Sequence, residues 1–174
     1  MKKLCILLLA IFLLTGCAEE IVYETISDGI ETPTLPSPLE IMVTLPEGAT
    51  SPVFSNTDAG KLYECENCSV TIQTVEAGDF SGLIRDITGY SQENLQILES
   101  TQAGMPCYQT VWTSAGEGQT QVGRVCILTD GNYYYVLTAM VPENKAGSLS
   151  DGALKEMFAS FRAIPKQDVI SSGS

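Results

Sequence analysis

Six cysteines and no histidine bound the chemistry open to this 174-residue chain. Without histidine there is no Ser-His or Cys-His nucleophile pair, no imidazole metal ligand and no imidazole pH switch. Four cysteines, Cys65, Cys68, Cys107 and Cys126, lie in the body of the chain. Cys65-Glu66-Asn67-Cys68 has the spacing of a redox site, a zinc knuckle or a small structural disulfide. Redox catalysis needs a thiol of lowered pKa, usually beside a helix N-terminus or cations. Here Glu64 and Glu66 flank the pair, and their charge would raise it. Zinc held by all four thiols has suitable ligand chemistry, but a long hairpin separates one pair from the other. No metal and no cofactor are therefore expected. An even count in an exported chain reads first as disulfides.

The elements that must position these thiols follow from periodicity. Leu39 to Leu45 alternates and ends at Pro46-Glu47-Gly48, a strand and a turn. Lys61 to Cys65 and Cys68 to Val75 are strand-like, with Glu66-Asn67 as the hairpin tip. Phe80, Leu83, Ile84 and Ile87 then lie on one helical face, with Asp79 as N-cap and Gly89 as stop. Gly82 inside this helix costs about 1 kcal/mol. Strands follow at 95–101, 105–113, 121–128 and 133–141. Asp130-Gly131 has the residues of a type I′ turn. The last strand is apolar on both faces, so both are expected to be covered. A final helix spans 149–161, with Ser148 and Asp151 at its cap and Leu154, Met157, Phe158 and Phe161 on one face. Hairpin-length turns make the sheet antiparallel, and two helices must bury their apolar faces on it. The fold class is α+β, with about six antiparallel strands and two main helices.

This layout bears on the thiols. If Gly116-Glu117 is a two-residue turn, Cys107 and Cys126 face each other across the hairpin, at a spacing a disulfide bridges. The enclosed loop is 18 residues, and closing it is worth about 3 kcal/mol in the chain-entropy model. A one-residue slip would put the two side chains on opposite faces. Cross-pairing with Cys65 and Cys68 stays open. Trp112 and Tyr133-Tyr134-Tyr135 form either an aromatic binding face or core. Arg124, the one base in the central strands, reads as an ion-pair partner or a solvated edge.

The first residues give an address. Lys2 and Lys3 precede an apolar run of 11 residues, Leu4 to Leu14, too short for a hydrocarbon layer of roughly 30 Å and right for a secretory signal. Leu14-Thr15-Gly16-Cys17 resembles the bacterial lipobox. The resemblance implies a signal peptide over 1–16, cleavage between Gly16 and Cys17, and a diacylglycerol on the Cys17 sulfur. More than one acyl chain then makes membrane attachment stable. The implied place is the extracytoplasmic side of a bacterial cell membrane, with membrane lipid as a partner through acylated Cys17. Residues 17–38, rich in Pro, Thr, Ser and acids, read as the lipidated N-terminus and a tether. Its 21 residues beyond Cys17 span on the order of 25 Å. The domain occupies 39–165, and 166–174 reads as a polar tail.

Charge narrows the partners. The whole chain carries 9 basic and 21 acidic residues. Loss of Lys2 and Lys3 with the signal leaves 7 basic residues and a net charge of −14 on the mature chain. That excludes a basic nucleic-acid surface, so no nucleic acid is expected, and it opposes lying flat on an anionic membrane.

The domain as a whole is similar to the PsbP-like family. Leu45-Pro46-Glu47-Gly48, Ala103-Gly104-Met105-Pro106 opening a long strand, and Tyr133 to Val141 before a helix ending Phe158-Ala159-Ser160-Phe161 carry the resemblance. It implies an α/β/α sandwich and a binding or assembly role without enzymatic activity. It supplies no partner or metal residues. The expected function is thus a membrane-anchored lipoprotein that binds or scaffolds a protein partner. A thiol–disulfide enzyme using Cys65 and Cys68, or a small-molecule-binding lipoprotein, is the alternative.

Overall fold

The computed structural model describes residues 34–51, 60–115 and 119–166. The expected signal peptide, Gly16, Cys17, most of the expected tether, the expected turn at Gly116-Glu117 and nearly all of the expected tail lie outside the described residues.

Among the described residues eight strands and two α-helices follow one another: β1 (Glu40–Met42), β2 (Gly60–Cys65), β3 (Cys68–Glu76), α1 (Phe80–Thr88), β4 (Leu98–Gln102), β5 (Met105–Ala115), β6 (Thr120–Thr129), β7 (Tyr133–Pro142), α2 (Gly152–Ser160) and β8 (Arg162–Ile164). Short 3₁₀ segments precede β4, at Gln92–Asn94, and α2, at Glu143–Ser150. Six strands form one antiparallel sheet in the order β2-β3-β7-β6-β5-β4, and β1 pairs with β8 in a separate two-stranded ladder. The α+β class with a six-stranded antiparallel sheet is therefore observed.

Alternation along the strands sorts side chains to two faces. On one face Val70, Cys107, Cys126, Tyr135 and Leu137 pack with Leu154, Met157, Phe158 and Phe161 of the α2 region. On the other, Trp112, Val125, Ile127 and Val136 pack with Leu83 and Ile84 of α1. β7 sits between β3 and β6, so its residues are walled in from both sides. Tyr135, Val136, Leu137 and Ala139 are fully buried, as an apolar run on both faces requires. Trp112 and Tyr135 belong to the core.

α1 begins and ends where its sequence says. The Asp79 carboxylate accepts from Gly82 N at 2.8 Å, and Gly89 closes the helix in the left-handed region. A Cβ at Gly82 would lie 2.8 Å from Asp79 Cγ, so any larger residue there would shift the capping side chain. α2 starts three residues later than the sequence suggests, because Glu143–Ser150 winds as 3₁₀ helix. Its cap is Asp151, which accepts from Gly152 N, rather than Ser148. The Asp130 turn also differs. A type I′ turn needs two positive φ angles; only Gly131 has one, at 93°. Asp130 instead accepts from Asn132 N and Tyr133 N, each at 2.8 Å. The two positive φ angles occur together at Ala103 and Gly104, between β4 and β5.

Candidate functional site

The thiols come first. β2 and β3 pair so that Cys65 faces Cys68 across Glu66-Asn67, the hairpin expected from the sequence. Both line a recess of about 520 Å³ with Pro46, Glu47 and the first turn of α2. A helix N-terminus beside a thiol pair is the arrangement that lowers a thiol pKa, yet Cys68 is pushed up to about 12, by burial first and by its bond to Cys65 second. The flanking carboxylates are not the cause.

Cys107 and Cys126 lie on the same sheet face, both buried, but not directly opposite. Cys107 pairs with Leu128, and Cys126 pairs with Gln109. The register is two residues off the one a Gly116-Glu117 turn would set, because Ala115 pairs with Thr120 and four residues connect them. A shift of two keeps the parity, so the side chains meet diagonally. Their sulfurs stand 3.3 Å apart as free thiols, longer than a disulfide bond of about 2.05 Å. Cys107 is lowered to about 6. The Cys126 hydrogen bond is the largest cause; burial opposes it, and Ser100, Gln109 and Arg124 assist. Cys126 moves up, because it donates to Cys107 and is buried. The pair thus holds one proton in common. The four thiols do not converge: among the described residues no group of three or more His, Cys, Asp or Glu could hold a metal.

Arg124, one register step along the same face, has the most unusual surroundings. Its guanidinium lies 4.3 Å above the Phe158 ring, a cation–π contact. It donates to Leu149 O at 2.8 Å and to Gln109 Oε1 at 2.9 Å. Among the described residues it has no carboxylate partner, and it is half-buried rather than a solvated edge. Gln102 fixes the end of α2 above it, with Nε2 donating to Phe158 O and Phe161 O, both at 2.8 Å.

Beside Arg124 the sheet face runs out from under α2. A groove of about 650 Å³ opens there, lined by Ile97, Leu98, Val111, Arg124, Ser150 and Lys155 among others. Leu98 is 63% exposed and Val111 56%. Leu98 pairs with Gln109 and Val111 with Arg124, so the two apolar side chains sit diagonally on the same face. No lining residue is Asp or Glu. In a chain with 21 acids against 9 bases, an acid-free groove with two cations stands apart. Sequence reasoning missed Leu98, Val111 and Lys155; the one signal was Arg124, a lone base within an apolar strand.

Among the described residues no helix is long and apolar enough to cross a membrane. No protein-family model matches the chain, and no curated protein sequence matches it. Solved structures do. One, from Bacteroides thetaiotaomicron, is 12% identical with a TM-score of 0.50, covering 74% of this chain and 46% of that one. The chain thus spans less than half of that protein's length. LpqN, involved in cell envelope biogenesis of Mycobacterium tuberculosis, is 16% identical over 74% of this chain and 87% of its own, with a TM-score of 0.47. The cyanobacterial PsbP of Synechocystis is 8% identical over 74% of this chain and 94% of its own, also with a TM-score of 0.47. A PsbP thus stands among the structural neighbours, and at 12% identity the likeness to the Bacteroides structure is one of fold alone.

Proposed function

We infer that the chain is an extracytoplasmic bacterial lipoprotein, held at the membrane through acylated Cys17, whose domain binds a component of the cell envelope and catalyses no reaction. The anchor is supported by Leu14-Thr15-Gly16-Cys17 at the end of the apolar run. The binding role is carried by one observation: the half-buried Arg124 guanidinium, without a carboxylate partner among the described residues, at the edge of an acid-free apolar groove. A half-buried charge without a carboxylate partner is costly; the Cys107 thiolate, which Arg124 helps to stabilise, answers part of that cost, and a bound anion would offset the rest. The thiol-enzyme alternative is weakened by the upward shift of Cys68, since the thiolate is the nucleophile.

A photo-reactive residue placed in living cells at Val111, and separately at Asp86 on α1, tests this. Val111 is expected to capture a discrete membrane-fraction component, and Lys155→Glu to abolish the capture, while Asp86 captures nothing. Equal capture at both positions, or none at either, overturns the binding role. Insulin reduction no faster than background is expected of the purified protein.

A further inference from the structure

We propose that the groove beside α2 binds a single-chain amphiphilic carboxylate, with its head group on Arg124 and Lys155 and its acyl tail across Val111 and Leu98. The proposal rests on the binding role above and names the ligand class.

The head-group site follows from donor arithmetic. A guanidinium carries five N–H donors. Arg124 gives one from Nη1 to Leu149 O and one from Nη2 to Gln109 Oε1; the others have no protein acceptor among the described residues. The two bonds and the Phe158 ring fix the guanidinium plane, so its orientation is set before a ligand arrives. Lys155, exposed on α2, lines the same groove and adds a second positive charge. A carboxylate matches the planar fork of arginine.

The tail site follows from what the groove cannot offer. Its floor is side chains standing on β4 and β5. The β5 backbone is used on both sides as far as Gln109, in ladders to β4 and to β6, and beyond Gln109 it is paired to β6 alone. Gln109 is engaged with Arg124 and with Cys107 Sγ, and Thr110 donates to Gln96 O. An extended peptide laid over Val111 and Leu98 would bury amides against a surface with few free partners, at the cost of unsatisfied polar groups. An acyl chain has none to satisfy. From β6 to β4 is about 10 Å in the sheet plane, so a medium-length tail starting at Arg124 would reach over Leu98. Charge complementarity selects the sign: the groove is cationic on an acidic chain, so a cationic amphiphile is repelled by the head site.

Calorimetric titration of the purified protein with decanoate tests the proposal, with acetate, decanol and decyltrimethylammonium as the other ligands. Decanoate is expected to bind once per chain, with each of the other three at least tenfold weaker. Val111→Asp and Lys155→Glu, both at exposed positions, are expected to weaken decanoate at least tenfold with unchanged circular dichroism. Arg124→Gln is expected to do the same. A flat decanoate titration, or decanol binding as tightly as decanoate, or both surface variants binding like the wild type, overturns the proposal. A protein captured at Val111 in cells together with a flat decanoate titration would overturn the acyl ligand and leave the binding role standing.

Discussion

Gly123 is the position at which the packing argument can be tested most sharply. It lies on β6 next to Arg124, but its missing side chain faces the α1 side of the sheet. A Cβ built there would lie 2.6 Å from Trp112 Cε2 and 2.6 Å from Met140 Sδ. Carbon atoms in contact prefer about 3.5–4.0 Å, so the indole would have to retreat by about 1 Å. Met140 can give way, because thioether chains are adaptable. Trp112 cannot easily do so: it is 5% exposed and held among Leu83, Ile84, Val125, Ile127 and Val136. Over-packing of this kind costs about 1–3 kcal/mol. Gly→Ala returns about 0.4–1 kcal/mol by restricting the unfolded chain. The expected net effect of Gly123→Ala is a loss of about 1–2 kcal/mol. Trp112 is the sole tryptophan, so urea unfolding followed by its emission reads the ring that must move. The urea midpoint should fall by roughly 0.5–1 M, and the native emission should change. In a Trp112→Leu background, followed by circular dichroism, the same substitution should cost much less, because the clashing ring is gone. A neutral or stabilising Gly123→Ala, or a cost unchanged by Trp112→Leu, would refute the reasoning.

Ala103 is a non-glycine residue with φ at 50° in the β4–β5 turn; Ala103→Gly should raise stability by about 1 kcal/mol, read by urea denaturation. The Tyr135 hydroxyl donates to Asp130 Oδ2 at 2.7 Å and accepts from Leu39 N at 2.9 Å, so Tyr135→Phe should cost about 1–3 kcal/mol by orphaning both. Asp130 is held below its ordinary 3.8: burial opposes this, and the bonds from Tyr135, Asn132 and Tyr133 outweigh it. Its contribution is present above 3.8 and lost as pH falls through the lower folded value; carboxyl titration by NMR should show Asp130 moving up in Tyr135→Phe. Under reductant, Cys107 with a folded pKa of about 6 against 9.0 unfolded adds stability that is full above 9.0 and is lost as pH falls to 6; Cys126, shifted upward, reverses the trend above 9.0. Urea midpoints across pH should show that rise and fall, and Cys107→Ser should flatten the lower limb. Without reductant, peptide mapping should find Cys107 joined to Cys126, a link worth about 3 kcal/mol; linkage of either to Cys65 or Cys68 would refute the pairing.

Local signals were read well because one residue type suffices for each. The Cys65–Cys68 hairpin, the Asp79 cap and the Gly89 stop all lie within a few positions of what they control. Long-range features were not legible. The β1–β8 ladder joins Glu40 to Ile164 through strands of three residues, too short to show a period. The β5–β6 register turned on the number of residues in one connection: Gly-Glu looked like a two-residue turn, but four residues intervene, and every cross-strand partner moved by two. The same face was kept only because that number is even. The groove draws on β4, β5, β6 and α2, with no spacing in the chain to mark it. Arg124 stood out as a lone base, but nothing in the sequence said that Phe158 would cover it or that no carboxylate among the described residues would answer it.

Attachment through Cys17 is the premise on which the binding role at the membrane depends, and metabolic labelling tests it directly. Cells expressing the full chain, grown with an alkyne-bearing palmitate, are fractionated and the protein is recovered beside a Cys17→Ala variant. The expected result is a labelled membrane-bound product whose first residue is Cys17, with Cys17→Ala unlabelled. An unlabelled wild type that fractionates with the soluble proteins, as Cys17→Ala does, would contradict it.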